Sequence, residues 1–335
     1  MIGGEFEIDL SIQREFVPHS DTYYYASGRT ALYQILRSFG SRHTKVWMPD
    51  WLCHTMVEAA ERAKAEVVFY ELNSDFKATL EALDKSGFRD GEAVLMVNYF
   101  GLQDLTSTAK AIKEQYPQSI VIEDDVQAYW CFAEQENPYA DYRFTSMRKA
   151  FAIPDGGLVK TTRPMPEVTE TNTFAPFKVK AGVMKQHRGQ GGIKDEDYLA
   201  LFRQGDNLIS ENYESRMSDD SKLLFSGTNF EQAKRQRQAN AKVILDGLKS
   251  LDIKPLIEVP ADAIPLFIPI LLTNRDAVRR AMFQKEIFCP IHWPLEGLNN
   301  KRGLLMAETE LSLIVDQRYT PKEMNEIIAV IQDNT

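Results

Sequence analysis

The chain has 335 residues, 44% of them hydrophobic and 26% charged, with a formal net charge of −9. That composition supports a sizeable core and argues against wholesale disorder. The acidic balance argues against non-specific binding to nucleic acid or an anionic membrane, and the three widely spaced cysteines and five scattered histidines make neither a disulfide framework nor a metal-ligand pattern.

No apolar run reaches membrane-spanning length. The opening MIGGEFEIDLSIQREF lacks the basic-then-apolar order of a signal peptide. A soluble, cytoplasmic protein is the expectation.

After a polar start, Tyr23 to Tyr25 predict a short strand. Ala31, Leu32, Ile35, Leu36 and Phe39 then recur at helical spacing. Ser27-Gly28-Arg29-Thr30 lies between. A glycine turn opening a helix leaves backbone N–H groups free, which is what an anion site needs. The plainer reading is an N-cap by Ser27 or Thr30.

KVWMPD (45–50) predicts a strand, WLCHTMVEAAERAKA a helix and EVVFYEL (66–72) a strand. FKATLEALDKSG follows as a helix, EAVLMVNYFG (92–101) as a strand and DLTSTAKAIKEQY as a helix capped by Asp104. SIVIED, YRFTSM and GGLVKTT (156–162) are the next strands. Strand, short link and helix repeat, and the strands are continuous apolar runs. Both sheet faces are therefore covered, as in an α/β domain built on a mostly parallel sheet. Ligands of such sheets collect beyond the carboxyl ends of the strands.

From about residue 163 the pattern becomes irregular and then helical. Residues 230–250 predict one long helix, with Arg237 lying along its apolar face by its aliphatic stem. Alternating strands and helices follow to the end. The expected organisation is a large domain over 1–240 and a smaller α+β domain over 241–335.

Three places carry chemistry. SIVIEDDVQAYWC (119–131) ends a strand in Glu123, Asp124 and Asp125. Successive residues on extended backbone point to opposite faces, so Asp124 is expected to face away from its neighbours, which would cap or be solvated. A lone acid there is most simply a solvated or capping group. The second place is the turn at Gly28. The third is TSMRKAFAIPDGG (145–157), where Lys149 sits before a Pro-Asp-Gly-Gly turn. A lysine in a pocket forms a Schiff base with an aldehyde, and burial and a neighbouring cation such as Arg148 lower its pKa.

In their order these segments resemble the DegT/DnrJ/EryC1/StrS aminotransferases, fold-type-I enzymes that use pyridoxal 5′-phosphate (PLP). ASGRTAL (26–32) is similar to the family's phosphate turn. VWMPDWLCHTMVEA is similar to its proline-led cofactor segment, IEDDVQAYW to its acid segment and SMRKAFAIPDGGLV to its lysine segment. FCPIHWPL (288–295) is similar to its late histidine–proline segment, and LSLIVDQRYTPKEMNEII to its terminal strand and helix.

The resemblance implies a PLP-dependent transferase of fold type I, a three-layer large domain with a small C-terminal domain, and a homodimer. It makes Lys149 the Schiff-base lysine, Asp124 the partner of the ring nitrogen and Gln127 a neighbour of the phenolic oxygen. Gly28, Arg29 and Thr30 would supply donors to the phosphate, with Ser146 adding a hydroxyl. Cys53 falls where the family has an aromatic residue, so Trp51 or Tyr99 would stack on the cofactor instead. Arg188 and His292 are substrate-side candidates, with a packed core or interface histidine as the plainer reading of His292, and Lys185 would join Arg188 against an anionic nucleotide or both would lie in a solvated loop. Asn212-Tyr213-Glu214-Ser215-Arg216 faintly resembles the segment that spans the dimer site.

The implied activity moves an amino group from an amino acid, glutamate by expectation, to a keto-sugar, nucleotide-linked by expectation, in polysaccharide or sugar biosynthesis. A small non-sugar substrate and a catalytically idle sugar-nucleotide-binding relative are the alternatives. Family members that dehydrate sugars carry histidine where this chain has Lys149.

Overall fold

The computed structural model describes residues 1–40, 44–293 and 300–335. Its strands in chain order are β1 (Ile2–Gly3), β2 (Thr22–Tyr25), β3 (Lys45–Pro49), β4 (Glu66–Tyr70), β5 (Ala93–Val97), β6 (Ile120–Asp124) and β7 (Tyr142–Ser146). They continue as β8 (Gly157–Lys160), β9 (Glu170–Thr171), β10 (Ser215–Arg216), β11 (Phe267–Leu271), β12 (Ile287–Phe288) and β13 (Glu310–Ile314).

One sheet runs β4-β3-β5-β6-β7-β8-β2-β10-β9. Strands β4 to β7 in that order are parallel, and β8 lies antiparallel between β7 and β2. Residue alternation sorts the side chains. Val46, Met48, Leu95 and Ile122 pack on one face with Ala31, Leu32, Ile35, Ala59 and Ala60, from helices Gly28–Arg37 and His54–Arg62. Trp47, Val94, Met96 and Val121 pack on the other with Leu83, Ala109 and Ile112, from helices Leu80–Ser86 and Thr106–Gln115. The result is the expected three-layer α/β arrangement.

A separate core joins helices Phe230–Ser250, Arg275–Gln284 and Pro321–Gln332 to the antiparallel pair β11 and β13. The N-terminal β1 pairs in parallel with β12 and buries Ile2 in that core. The 240/241 boundary falls inside helix Phe230–Ser250.

Local structure departs from the sequence reading in a few places. The strand from residue 92 ends at Val97: Asn98 N–H makes the last bond to β6, to the Asp124 carbonyl at 2.9 Å, and a turn, Tyr99–Gly101, follows. Phe100 occupies the left-handed region at φ 60° there. The helix around residue 80 starts late, with Thr79 Oγ1 accepting from Ala82 N–H at 3.1 Å. Asp104 caps as expected, accepting from Thr106 N–H at 2.8 Å.

Arg237 does not lie along its helix with its charge in water: the whole side chain is buried, and its head group is satisfied inside the protein. Glu123 and Asp125 do face away from Asp124, but neither is solvated. Arg143, opposite Glu123 in the β6–β7 register, binds Glu123 Oε1 at 3.1 Å and Asp125 Oδ2 at 2.8 Å. All three are buried, so the two acids share one guanidinium, and burial with the Glu123 charge beside it pushes the Asp125 pKa well above its ordinary value.

Candidate active site

The site begins with the turn into helix Gly28–Arg37. Ser27 Oγ accepts the N–H of Thr30 at 3.1 Å and so caps the helix. The N–H groups of Gly28 and Arg29 find no acceptor among the described residues. Gly28 fits the close packing here, because a Cβ on it would lie 3.0 Å from Val126 Cγ2 and 3.2 Å from Ser146 Cβ. Behind the turn, Gly156 N–H reaches the Ala26 carbonyl at 2.8 Å. A Cβ on Gly157 would sit 2.0 Å from Ser27 O. The Gly-Gly pair after Pro154-Asp155 thus lets β8 close against the turn, which brings the lysine segment to the helix N-terminus.

A cavity of about 120 Å³ opens over this turn at the carboxyl edge of the sheet. Gly28, Arg29, Cys53, Asp124, Gln127, Ser146 and Lys149 all line it, so seven candidates spread over more than 120 residues of sequence meet in one space. Thr30 does not. Its N–H is taken by Ser27 and its hydroxyl donates to the Asn212 carbonyl at 2.9 Å, so it braces the turn from behind.

Asp124 is 5% exposed. Val126 N–H donates to its Oδ1 at 2.8 Å, and Oδ2 has no hydrogen-bond partner among the described residues. Burial pushes its pKa up to about 7, against the opposing pull of that hydrogen bond and of Lys149. Gln127 is oriented by the Phe100 turn, whose N–H donates to Oε1 at 3.0 Å. That assigns the oxygen and leaves the amide NH₂ as the free donor. Ser146 also keeps an uncommitted hydroxyl at the cavity wall.

Lys149 is an exposed side chain at the cavity wall. Desolvation, then the charge of Arg148, holds its pKa below the ordinary lysine value. Its ammonium makes no hydrogen bond or ion pair among the described residues.

The aromatic wall was not legible in the sequence. Trp51 and Tyr99 stack on each other at 5.0 Å in the core, and neither lines the cavity. Trp293 does, resting edge-on against Trp51 at 5.0 Å. Pro294 and Leu295 of the late histidine–proline segment lie outside the described residues. Arg148, Thr55, Val126 and Ile209 also line the cavity.

The substrate-side candidates lie elsewhere. Arg188 is held by Asp195 through two bonds of 2.7 and 2.9 Å, and Lys185 is buried with Glu7 at 2.8 Å. Both charges are already matched. His292 is buried, with Nδ1 2.8 Å from Ser312 Oγ and its ring against Phe100 and Phe267. Burial, then Lys149, lowers its pKa to about 3. Its backbone N–H donates to Glu310 Oε2 at 2.6 Å, and burial raises Glu310 to about 8. The segment at 212–216 packs behind the Gly28 turn: Asn212 receives Thr30, and Arg216 pairs with Asp219 at 2.7 Å.

A pH-dependent stability follows from Glu310. Its folded pKa lies above the ordinary 4.5, so its stabilising contribution is complete below that value and is lost as pH rises through about 8. Glu310→Gln should flatten this loss. Melting temperatures of the two apo-proteins should converge near pH 5 and separate by pH 8.5, with the variant higher. Parallel curves would reject the assignment.

No family model matches the sequence, and no curated protein sequence matches it. Solved structures do. A DegT DnrJ EryC1 StrS aminotransferase from Brucella abortus superposes with a TM-score of 0.64 at 18% identity, over 95% of this chain and 86% of that one. S. venezuelae DesV, in complex with a ketimine intermediate, gives 0.65 at 17% identity, over 93% and 84%. Spr1654 from Streptococcus pneumoniae, in its PLP form, gives 0.68 at 12% identity, over 99% and 94%.

This chain has the fold of these aminotransferases.

At such identities the likeness establishes architecture, and the chemistry has to be argued from the residues of the cavity. In an aminotransferase fold, the cavity's position beyond the carboxyl ends of β5, β6 and β7 is the usual ligand edge of a parallel sheet. The donor set fits PLP. Free N–H groups at a helix N-terminus and the Ser146 hydroxyl suit a phosphate. A carboxylate oxygen without a partner suits a ring N–H, an amide NH₂ suits a phenolate, and an unpaired lysine of lowered pKa suits an aldehyde.

Proposed function

We propose that the chain is a PLP-dependent aminotransferase that moves an amino group from an amino acid to the carbonyl of a keto-sugar. The observation that carries this reading is that Lys149 and Asp124 line one cavity with the capped turn at Gly28. Glutamate as donor, a nucleotide-linked acceptor, a place in polysaccharide biosynthesis and a homodimer belong to the same reading. They rest on the resemblance of the segments quoted above.

PLP, when bound, supplies an electron sink for charge left by a departing α-proton. Gly28 and Arg29 N–H and Ser146 Oγ would hold the phosphate, and Gln127 Nε2 would donate to the phenolic oxygen. Asp124 Oδ2 would pair with the ring nitrogen and keep it protonated. Lys149 Nζ takes and returns the α-proton, a task that needs its lowered pKa. Trp293 lines the cavity and would offer an aromatic face to the cofactor ring.

A second cavity of about 390 Å³ shares Arg148 and Lys149 with the first, which gives the acceptor a place to extend. Its walls include Phe6, Leu199, Phe267, Phe288 and Ile314. Glu5, Arg148, Asp316 and Arg318 line it too, so the cavity offers both apolar and charged walls, and a small non-sugar carbonyl substrate stays as the second reading.

The test is direct. Protein loaded with PLP should be yellow, and borohydride should fix the cofactor on Lys149, located by peptide mapping. A missing adduct, or one on another lysine, would overturn the proposal. Glutamate-dependent amination across keto-sugar nucleotides and small apolar ketones then decides between the two substrate classes.

A further inference from the structure

We infer that Arg237 and Gln317 are positioning residues for Lys149, acting through the carbonyl of Ala150. The inference rests on the role proposed for Lys149 and adds what sets the position of that side chain. Lys149 lies in a single helical turn, Met147–Ala150, after which Phe151 is extended. So short a turn satisfies little of its own backbone: Phe151 N–H reaches the Met147 carbonyl at 3.1 Å, and the Ala150 carbonyl has no helix to continue into.

That carbonyl is instead gripped from far along the chain. Arg237 Nη2 donates to it at 3.2 Å and Gln317 Nε2 at 2.8 Å. The grip is closed on itself, because Arg237 Nε donates to Gln317 Oε1 at 2.8 Å. The remaining arm of the guanidinium, Nη1, donates to the carbonyls of Pro265 and Leu266 at 3.2 Å each. One planar fork thus joins the lysine turn to the segment before β11 and to the segment after β13.

Arg237 is 0% exposed and has no carboxylate among its hydrogen-bond partners. Asp316, the nearby countercharge, is bound instead by Arg318 at 2.8 and 3.0 Å. Burial lowers Arg237 to about 10, which leaves it protonated near neutrality. Burying a cation in this way is costly, and an apolar side chain of similar volume would fill the space more cheaply. What an apolar residue lacks is a fork that fixes carbonyls in relative position. Lys149 needs such fixing, since its own ammonium has no protein partner among the described residues.

The experiment reads Lys149 directly, in the apo-protein and again with PLP. The pH dependence of Lys149 acylation by acetic anhydride, followed by peptide mapping, reports its pKa without cofactor. Gln317→Leu removes both hydrogen bonds of a half-buried residue, and Arg237→Lys keeps the charge but loses the fork. In either variant the Lys149 midpoint should rise towards the ordinary lysine value. With PLP and a working substrate pair, kcat should fall by about tenfold to 10²-fold with KM little changed, and the pH optimum should move up.

Gln238→Ala is the control, because it removes an exposed bond from the same helix to the Asp262 carbonyl and should change none of these readings. A folded Gln317→Leu protein with the wild-type midpoint and kcat overturns the inference. If Arg237→Lys does not fold, Gln317→Leu decides alone. Failure of borohydride to label wild-type Lys149 would instead overturn the proposed function, and the acylation midpoints would still test the clamp.

Discussion

Lys149→Ala should lose turnover by about 10⁴-fold or more, because one substitution removes both the amine that forms the covalent link and the group that moves the α-proton. The cofactor pocket should survive. The free N–H groups at Gly28 and Arg29, the Ser146 hydroxyl, Asp124 and Gln127 are supplied by other segments. Lys149 forms no ion pair or hydrogen bond among the described residues that its loss would break. Equilibrium dialysis should therefore find PLP bound and exchangeable, with no borohydride adduct. A small added primary amine should restore part of the activity. Retained turnover, or a reduced adduct on another lysine, would reject the assignment of Lys149.

Asp124→Asn should cut kcat on the order of 10²–10³-fold, the size expected when a preorganised charge partner is removed from a buried site. The amide keeps an oxygen for Val126 N–H, so the local turn is preserved. It cannot hold the positive charge of a protonated ring nitrogen. PLP binding should weaken only in part.

The same substitution should stabilise the apo-protein at alkaline pH. Asp124 rises from an ordinary 3.8 to about 7 through burial, so ionising it opposes folding as soon as pH exceeds the lower value. The penalty is complete above about 7 and amounts to roughly 4 kcal/mol at most. Apo Asp124→Asn should melt above wild type at pH 8 and close to it at pH 4. Lower activity with higher apo stability is the signature of a functional buried acid. Unchanged turnover would refute the ring-nitrogen role.

The substrate side is less fully built within the described residues. Arg188 and Lys185 already have carboxylate partners, so recruiting either to an anionic substrate would require breaking an existing pair. Arg148 is different. Its guanidinium lies 3.7 Å from Asp206, and Lys178 holds that same carboxylate at 2.6 Å. It also lines both cavities beside Lys149. Among these cations it is the one placed to meet a substrate anion without giving up a close ion pair.

Much of this molecule was readable along the chain, wherever the physics is local. Apolar periodicity marked the strands and helices that surround the cavity, and the extended geometry of β6 already separated Asp124 from Glu123 and Asp125. Gly28 between a strand and a helix announced a turn with spare N–H groups. The lysine segment, followed by Gly-Gly, fell where the sheet needs its close approach.

Long-range partners settled the rest. Thr30 faces Asn212 and not the cavity, because Ser27 wins its N–H. Glu123 and Asp125 are buried because Arg143 arrives from the next strand. Trp293, more than 200 residues downstream of Trp51, supplies the aromatic wall while Trp51 packs on Tyr99. Arg237 is sunk in the core because three carbonyls from two distant segments converge on its fork. In each case a polar group or ring is claimed by a partner that chain order does not disclose, and burial makes that partner, more than the residue's own propensity, decide where the side chain goes.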